Sequence, residues 1–143
     1  VAVGADVRAW ELGTGAPLAV LDLPSRDTQA LATSPDESLL WTAGADGRVS
    51  QWTSRNWALD SSWFSGSPEI WSAAIDPTGS LLATGDLDGA LRFWSVGAGR
   101  PGELVGEHAA RDWIRGLCFA GGGEQLIAAT SEGVEVLTLS IER

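Results

Sequence analysis

Three segments of the chain carry residue types that can support chemistry, and the first is an acidic turn. Asp86 and Asp88 precede Gly89, and carboxylates at alternate positions before a glycine are typical of a calcium-binding loop. If Gly89 is the loop glycine, the first ligand position falls on Thr84 and the bidentate glutamate position falls on Ser95. Because neither residue is a carboxylate, we interpret the segment as a hairpin turn and predict no metal site.

The second segment is a run of three glycines, Gly121 to Gly123. A glycine-rich loop holds phosphate when a Gly-Lys-Ser/Thr sequence and a helix follow it. Neither follows here. The glycines occupy the place in which Pro35 and Pro77 mark turns earlier in the chain. We therefore predict a third turn and no bound cofactor.

The third segment contains Cys118 and His108, a candidate thiol nucleophile and its base. Cys118 stands between Leu117 and Phe119 in a predicted strand, where a buried and inert thiol is the usual outcome. His108 falls in a predicted surface loop. We therefore predict no catalytic residue and interpret the chain as a non-enzyme.

The balance of charged side chains bears on the class of partner. Nineteen Asp and Glu stand against nine basic residues, which makes the net charge −10 at pH 7. Phosphate binding depends on clustered Lys and Arg, so nucleic acid is excluded as a main partner. No apolar run approaches the roughly 18 residues of a transmembrane helix, so no membrane role is predicted. The single Cys118 excludes an internal disulfide and favours a cytoplasmic location.

A repeat with a fixed period determines the secondary-structure elements that position these residues. Trp10, Trp52 and Trp94 follow one another at intervals of 42 residues. Residues 34–52 also match residues 76–94 column by column, and residues 121–137 form a weaker third copy. A period of this length is typical of repeat folds built from one small unit per copy.

Within each copy the local pattern predicts strands. Apolar runs of four to seven residues alternate with clusters of Gly, Pro, Asp and Ser, and no run has the 3.6-residue spacing of a helix. One copy reads as four strands, over residues 71–75, 81–85, 90–95 and 103–106. Asp-Gly pairs at Asp46 and Asp88 mark tight hairpins. The fold class is therefore predicted as all-β, with four-stranded antiparallel units.

The period of 42, the Pro turn, the Leu-Leu-x-Thr strand, the Asp-Gly turn and the closing Trp together resemble the WD-repeat β-propeller family. Two features of the family are absent, since no Gly-His pair precedes the inner strands and no Asp follows the closing Trp. The resemblance implies a partial hydrogen-bond network in each of the two clean copies. Its candidate members are Thr42, Asp46, Trp52, Thr84, Asp88 and Trp94.

The strand pattern divides the chain into blades. Residues 1–23 form a partial blade, residues 28–64 and 70–106 form two full blades, and residues 113–143 form a final blade without its outer strand. We therefore expect an incomplete ring, the C-terminal half of a larger and seven-bladed propeller. The remaining blades of that parent would be its neighbours. The abundance of Ala, Gly and Arg predicts a GC-rich, bacterial source.

The alternating direction of successive strands predicts which end of the sheets binds a partner. In a four-stranded meander, the outer-to-inner loops and the second-to-third hairpins emerge at one end. The loops would bring eight candidate contact residues there: Arg26, Asp27, Gln29, Glu69, Trp71, Arg111, Trp113 and Arg115. The hairpins would add Asp46, Asp86, Asp88 and Glu132. Trp and Arg are favoured in protein interfaces, but Trp71 and Trp113 have a second interpretation, in which both rings cap the core.

The sequence leaves two functions open for this chain. The family resemblance implies a non-catalytic protein-interaction scaffold, part of a larger bacterial signalling or regulatory protein. Its partner would be a protein or peptide with basic and apolar groups, which suits the acidic rim. The alternative is part of an enzyme propeller of the quinone-dependent dehydrogenase type, because residues 12–18 resemble the blade joints of that family as well.

Overall fold

The computed structural model describes residues 6–23 and 27–140, and this part of the chain is almost entirely β-structure. The strands are β1 (Val7–Trp10), β2 (Pro17–Leu21), β3 (Thr28–Thr33), β4 (Leu39–Gly44), β5 (Arg48–Thr53), β6 (Ala58–Phe64), β7 (Ile70–Ile75), β8 (Leu81–Asp86), β9 (Ala90–Gly97), β10 (Arg100–Ala109), β11 (Ile114–Ala120), β12 (Gln125–Thr130) and β13 (Gly133–Thr138). One short 3-10 turn, Gly121–Gly123, separates β11 from β12. The all-β prediction is confirmed.

The strands form four antiparallel meander sheets. The first sheet contains β1 and β2, the second β3 to β6, the third β7 to β10 and the fourth β11 to β13. The predicted strand at residues 1–4 lies outside the described residues. The predicted outer strand of the third sheet ends three residues later than expected, at Ala109.

The 42-residue repeat is visible in the strand registers. Leu40 lies opposite Trp52 in the second sheet, and Leu82 lies opposite Trp94 in the third. The Asp-Gly hairpins also repeat, since Gly47 has φ of 73° and Gly89 has φ of 82°. Glycine adopts this left-handed conformation without the steric penalty that a Cβ atom imposes, which explains its place in both turns.

The hydrophobic core lies between the sheets. One cluster joins the first sheet to the second, a larger one joins the second to the third, and another joins the third to the fourth. The inner strands β3, β7 and β11 lie side by side. Meander sheets packed in this sequential order form part of a β-propeller, so the predicted architecture is confirmed.

Two predictions about single residues are wrong. Cys118 is exposed, not buried, because it lies on the face of β11 opposite to Phe119, and the described part of the chain leaves that face open. His108 belongs to a strand and not to a loop: it pairs with Leu91 because β10 follows β9 as far as Ala109.

Candidate functional site

The loops and hairpins that the sequence predicted to share one end of the sheets do lie together at that end. We call this end of the sheets the upper rim. It contains the β4–β5 and β8–β9 hairpins, the β6–β7 and β10–β11 loops, and the residues before β3. The amide of Ala45 donates a hydrogen bond to the Asp27 carbonyl at 3.0 Å, and the amide of Glu69 donates to the Ala45 carbonyl at 3.2 Å. Leu87 in turn donates to the Glu69 carbonyl at 3.3 Å. The Glu69–Ala45 hydrogen bond therefore connects the segment leading into the third sheet to the hairpin of the second sheet.

An aromatic cluster lies on the upper rim at the inner strands. Trp71 is the second residue of β7, and Trp113 directly precedes β11. Their ring centroids are 6.2 Å apart, and the ring planes are tilted by 60°. The guanidinium carbon of Arg115 is 4.5 Å from the Trp113 centroid, a cation–π distance. Trp71 is exposed and Trp113 is half-buried. These three residues form the Trp71–Trp113 cluster.

The cluster occupies one repeat position in successive sheets. Trp71 and Trp113 are 42 residues apart, and the same position in the second sheet is Gln29. Gln29 uses its side-chain amide to donate to the Asp27 carboxylate at 2.9 Å. The aromatic character of the upper rim is thus concentrated on the third and fourth sheets.

The other predicted contact residues are more scattered. Arg111 is exposed and forms an ion pair with Glu135 at 3.3 Å, so it is directed toward the fourth sheet. Glu69 is exposed in the β6–β7 loop with φ of 61°, an uncommon conformation for a residue with a side chain. Arg26 lies outside the described residues. The structure therefore brings together three of the eight, and separately pairs Asp27 with Gln29.

Asp112 is a further residue of this site that the sequence did not single out. Its carboxylate accepts hydrogen bonds from the hydroxyl of Ser131 and from the amide of Trp113, the latter at 2.8 Å. These donors, with Ser131 first, lower the pKa of Asp112. Asp112 therefore remains ionised and holds the backbone from which the Trp113 ring projects.

The predicted acidic field of the upper rim is smaller than expected, because Asp86 is buried. One of its oxygens accepts the hydroxyl of Ser67 at 2.5 Å and the guanidinium of Arg92 at 3.1 Å. The other accepts the amides of Asp88 and Ala90, each at 2.9 Å. These donors satisfy the carboxylate inside the fold, so Asp86 stabilises the hairpin and is not available to a partner. Asp46, Asp88 and Glu132 are exposed.

The predicted structural network takes a simpler form than expected. The indole nitrogen of Trp52 donates to Thr42 at 3.0 Å, and that of Trp94 donates to Thr84 at 3.0 Å. The carboxylates expected beside these pairs lie elsewhere. Asp46 accepts the amide of Arg48 at 3.1 Å at an exposed hairpin tip, and Asp88 is likewise exposed.

No group of three or more His, Cys, Asp or Glu side chains among the described residues is arranged to hold a metal ion. In the same part of the chain, no helix has the length and apolar character needed to cross a membrane. A cleft of about 350 Å³ lies at the opposite end of the sheets, between Glu37, Leu40 and Trp57.

Comparison with known proteins agrees with the repeat. Residues 59–95, which run from β6 to β9, match the family model described as WD domain, G-beta repeat. Transducin beta-like protein 3 of Homo sapiens is 34% identical over 95 residues, which cover 65% of this chain and 12% of that protein. Protein groucho of Drosophila melanogaster is 29% identical over 134 residues, which cover 92% of this chain and 18% of that protein.

A fungal protein is also similar. Eukaryotic translation initiation factor 3 subunit I of Pyricularia oryzae is 27% identical over 67 residues, or 47% of this chain and 20% of that protein. The matched regions therefore span about a fifth or less of the length of each of these three relatives.

Proposed function

Because the chain is built of WD repeats, we propose that it is a non-catalytic platform that binds another protein through its upper rim. The observation that carries this proposal is the Trp71–Trp113 cluster. An exposed indole, a half-buried indole and a guanidinium lie together there at the starts of β7 and β11. Trp and Arg are the residue types that most often dominate the binding energy of protein interfaces.

The exposure of Trp71 favours the contact interpretation over the core-capping one. Its neighbours Ile70 and Ser72 on β7 are buried, whereas Trp71 projects from the opposite face of the strand. A ring that served only to cover the core would gain most of its stabilisation from burial. Trp71 gives up part of that stabilisation, which is typical of a residue retained for binding.

The charge of the chain supports a particular class of partner. Exposed carboxylates at Asp46, Asp88, Glu69 and Glu132 surround the upper rim, and the net charge is −10. Such a field attracts basic segments and repels nucleic acid. The partner we propose is a protein or peptide in which basic side chains accompany apolar ones.

The proposal extends to the parent protein. The abundance of Ala, Gly and Arg supports a bacterial source, and the single cysteine supports a cytoplasmic location. The parent we propose is a larger signalling or regulatory protein in which this chain is one part of a propeller. The relatives reported above come from animals and a fungus. One of them is a subunit of a translation initiation factor, so a protein similar to this chain belongs to a larger assembly.

A peptide selection tests the proposal with a defined probe. A random displayed library is selected on the immobilised chain, and the enriched peptides are synthesised and titrated. We expect them to carry Lys or Arg beside apolar residues. Trp71→Ala and Trp113→Ala should each weaken their binding by roughly 30-fold or more, which corresponds to about 2 kcal/mol.

Trp10→Ala is the matched control, because Trp10 and Trp71 are both 39% exposed and Trp10 lies on the first sheet. It should leave peptide affinity unchanged. Melting temperature is measured on every variant. If melting falls in step with binding, the rings are core caps; if acidic peptides are enriched, the proposed partner class is wrong.

A further inference from the structure

Two residues of the second sheet hold a backbone conformation that the repeat otherwise gives to glycine. Trp57 has φ of 56°, and the residues 42 positions before and after it are Gly15 and Gly99, with φ of 71° and 74°. Glu37 has φ of 62°, and its counterpart one repeat later is Gly79, with φ of 75°. A residue with a bulky side chain is strained in this left-handed region. The second sheet therefore keeps Trp and Glu at positions where glycine would fit without strain.

Both strained residues line the cleft of about 350 Å³ at the end of the sheets opposite the upper rim. Its lining residues are Thr33, Glu37, Leu39, Leu40, Ser54 and Trp57. All six belong to the strands and turns of the second sheet, which has four strands and packs against a described sheet on each side. One repeat later the positions of Glu, Ser and Trp are Gly79, Val96 and Gly99. The polar and aromatic lining is thus particular to the second sheet, and strained backbone of this kind is concentrated at binding sites.

Hydrogen bonds join the two turns that carry these side chains. The amide of Ser54 donates to the Ser38 carbonyl at 3.0 Å, and the hydroxyl of Ser54 donates to the Glu37 carbonyl. The first of these bonds recurs in the third sheet, where the amide of Val96 donates to the Ser80 carbonyl at 3.0 Å. Valine has no hydroxyl to supply the second. The Ser54 hydroxyl therefore holds the strained backbone of Glu37 in place.

The charge and lining of the cleft indicate the chemistry of a ligand. Glu37 is exposed and has no ion-pair partner among the described residues, and Arg55 of the β5–β6 turn does not line the cleft. A free carboxylate attracts a cation, and an indole ring such as that of Trp57 adds a cation–π attraction. Leu39 and Leu40 provide apolar contact for an alkyl chain. The volume lies within the range of roughly 300–1,000 Å³ that is usual for small-molecule sites.

We propose that this cleft is a second binding site, which takes an alkylammonium group. The ammonium lies between the Glu37 carboxylate and the Trp57 ring, and the alkyl chain contacts Leu39 and Leu40. This chemistry occurs both in free amines and in the lysine side chain. Because the cleft and the Trp71–Trp113 cluster lie at opposite ends of the sheets, the site does not depend on the function proposed for the upper rim.

A titration of the 143-residue chain with n-butylammonium tests the site. Binding is followed by NMR through the indole N–H resonance of Trp57, which is assigned by its absence from the spectrum of Trp57→Gly. We expect a saturable shift. The uncharged n-butanol should bind at least about tenfold more weakly, and Glu37→Gln should weaken n-butylammonium binding by a similar factor. Trp57→Gly should abolish binding, observed on the ligand resonances, and should still fold, because glycine takes this position in the first and third sheets.

Glu103→Gln is the matched control, since Glu103 is an exposed carboxylate on β10 and does not line the cleft. It should leave the affinity unchanged, and so should Trp71→Ala on the upper rim. Cooperative melting of each variant verifies that it is folded. A capped Ala-Lys-Ala peptide distinguishes the two sources of the group: tighter binding than that of n-butylammonium supports a lysine side chain, and weaker binding supports a free amine. Absence of a saturable shift, equal affinity for n-butanol, or full affinity in Glu37→Gln or Trp57→Gly would each overturn the proposal.

Discussion

Trp94 and Thr84 show what a single hydrogen bond contributes inside the third sheet. The indole nitrogen is buried and Thr84 is its acceptor at 3.0 Å. Thr84→Val keeps the shape of the side chain but leaves the indole N–H without this partner. We expect the free energy of unfolding to fall by about 1–2 kcal/mol, measured by urea titration followed by tryptophan fluorescence.

Thr33→Val is the control for this substitution. Thr33 is an exposed strand residue, so the same change should alter stability by less than about 0.5 kcal/mol. Equal losses at Thr33 and Thr84 would contradict a role for the Thr84–Trp94 hydrogen bond.

We expect Asp36 to contribute to the acid sensitivity of the chain. Its carboxylate accepts the hydroxyls of Ser34 at 2.6 Å and Ser38 at 2.7 Å, and these bonds lower the pKa of Asp36 from 3.8 to about 2. A carboxyl pKa that is depressed on folding stabilises the fold above pH 3.8, and this contribution is lost as the pH falls through about 2. Asp36→Asn should therefore flatten the decline of unfolding free energy between about pH 4 and pH 2.

The Asp36 prediction has an internal check. Ser38→Ala removes one hydroxyl donor, so it should raise the pKa of Asp36 and move the acid limb to higher pH. Urea unfolding at a series of pH values measures both variants. An acid limb that Asp36→Asn leaves unchanged would contradict the prediction.

At the scale of elements, Gly85 sets how closely β8 approaches the fourth sheet. A Cβ atom at Gly85 would lie 2.6 Å from Ile114 Cγ2 and 2.7 Å from Ser72 Oγ. Gly85→Ala should therefore force the two sheets apart and lower the free energy of unfolding by about 1–3 kcal/mol. Thermal and urea unfolding provide the measurement.

Gly116→Ala is the matched control within a strand. The nearest atom to a Cβ at Gly116 is 3.9 Å away, at Ala129, so the new methyl group fits. Stability should be unchanged or slightly raised, because alanine restricts the unfolded chain more than glycine does. A loss at Gly116 as large as that at Gly85 would show that the close approach is not the cause.

The secondary-structure elements are the part of the structure that the sequence patterns predicted best. The period of 42 and the Asp-Gly turns predicted the order of strands, and the strand ends differ from prediction by only a few residues, as at Ala109. These signals are local, since a turn residue and an alternating strand act on their own backbone. Strand order in a meander then follows from the chain itself.

At the scale of the whole molecule, the net charge of −10 acts against compactness. Exposed ion pairs such as Arg111–Glu135 contribute little, whereas Arg92–Asp86 is mostly shielded from solvent. Screening by salt should therefore reduce repulsion more than it weakens attraction. We expect the melting temperature to rise between low and physiological NaCl concentration, as measured by calorimetry.

A charge variant checks the origin of this salt effect. Glu132 is exposed at the β12–β13 turn, and Glu132→Lys makes the net charge less negative by two units. The variant should show a smaller rise of melting temperature with NaCl. A melting temperature that falls with salt would mean that ion pairs outweigh the net repulsion.

The sequence by itself determined the repeat, the all-β class and the acidic character of the chain. It also placed Trp71 and Trp113 at one repeat position. Only the tertiary structure decided that their rings meet at 6.2 Å with Arg115 against one of them, because that depends on how two sheets pack.

The tertiary structure also determined which side chains are buried. Asp86 is buried where Ser67 of the β6–β7 loop and Arg92 of β9 donate to it. Gln51 is buried where it bridges Trp41 and the Gly97 carbonyl of the next sheet. Cys118 is exposed because no described sheet covers its face of β11. A strand pattern shows which residues share a face, but whether that face is buried depends on which distant part of the chain lies against it.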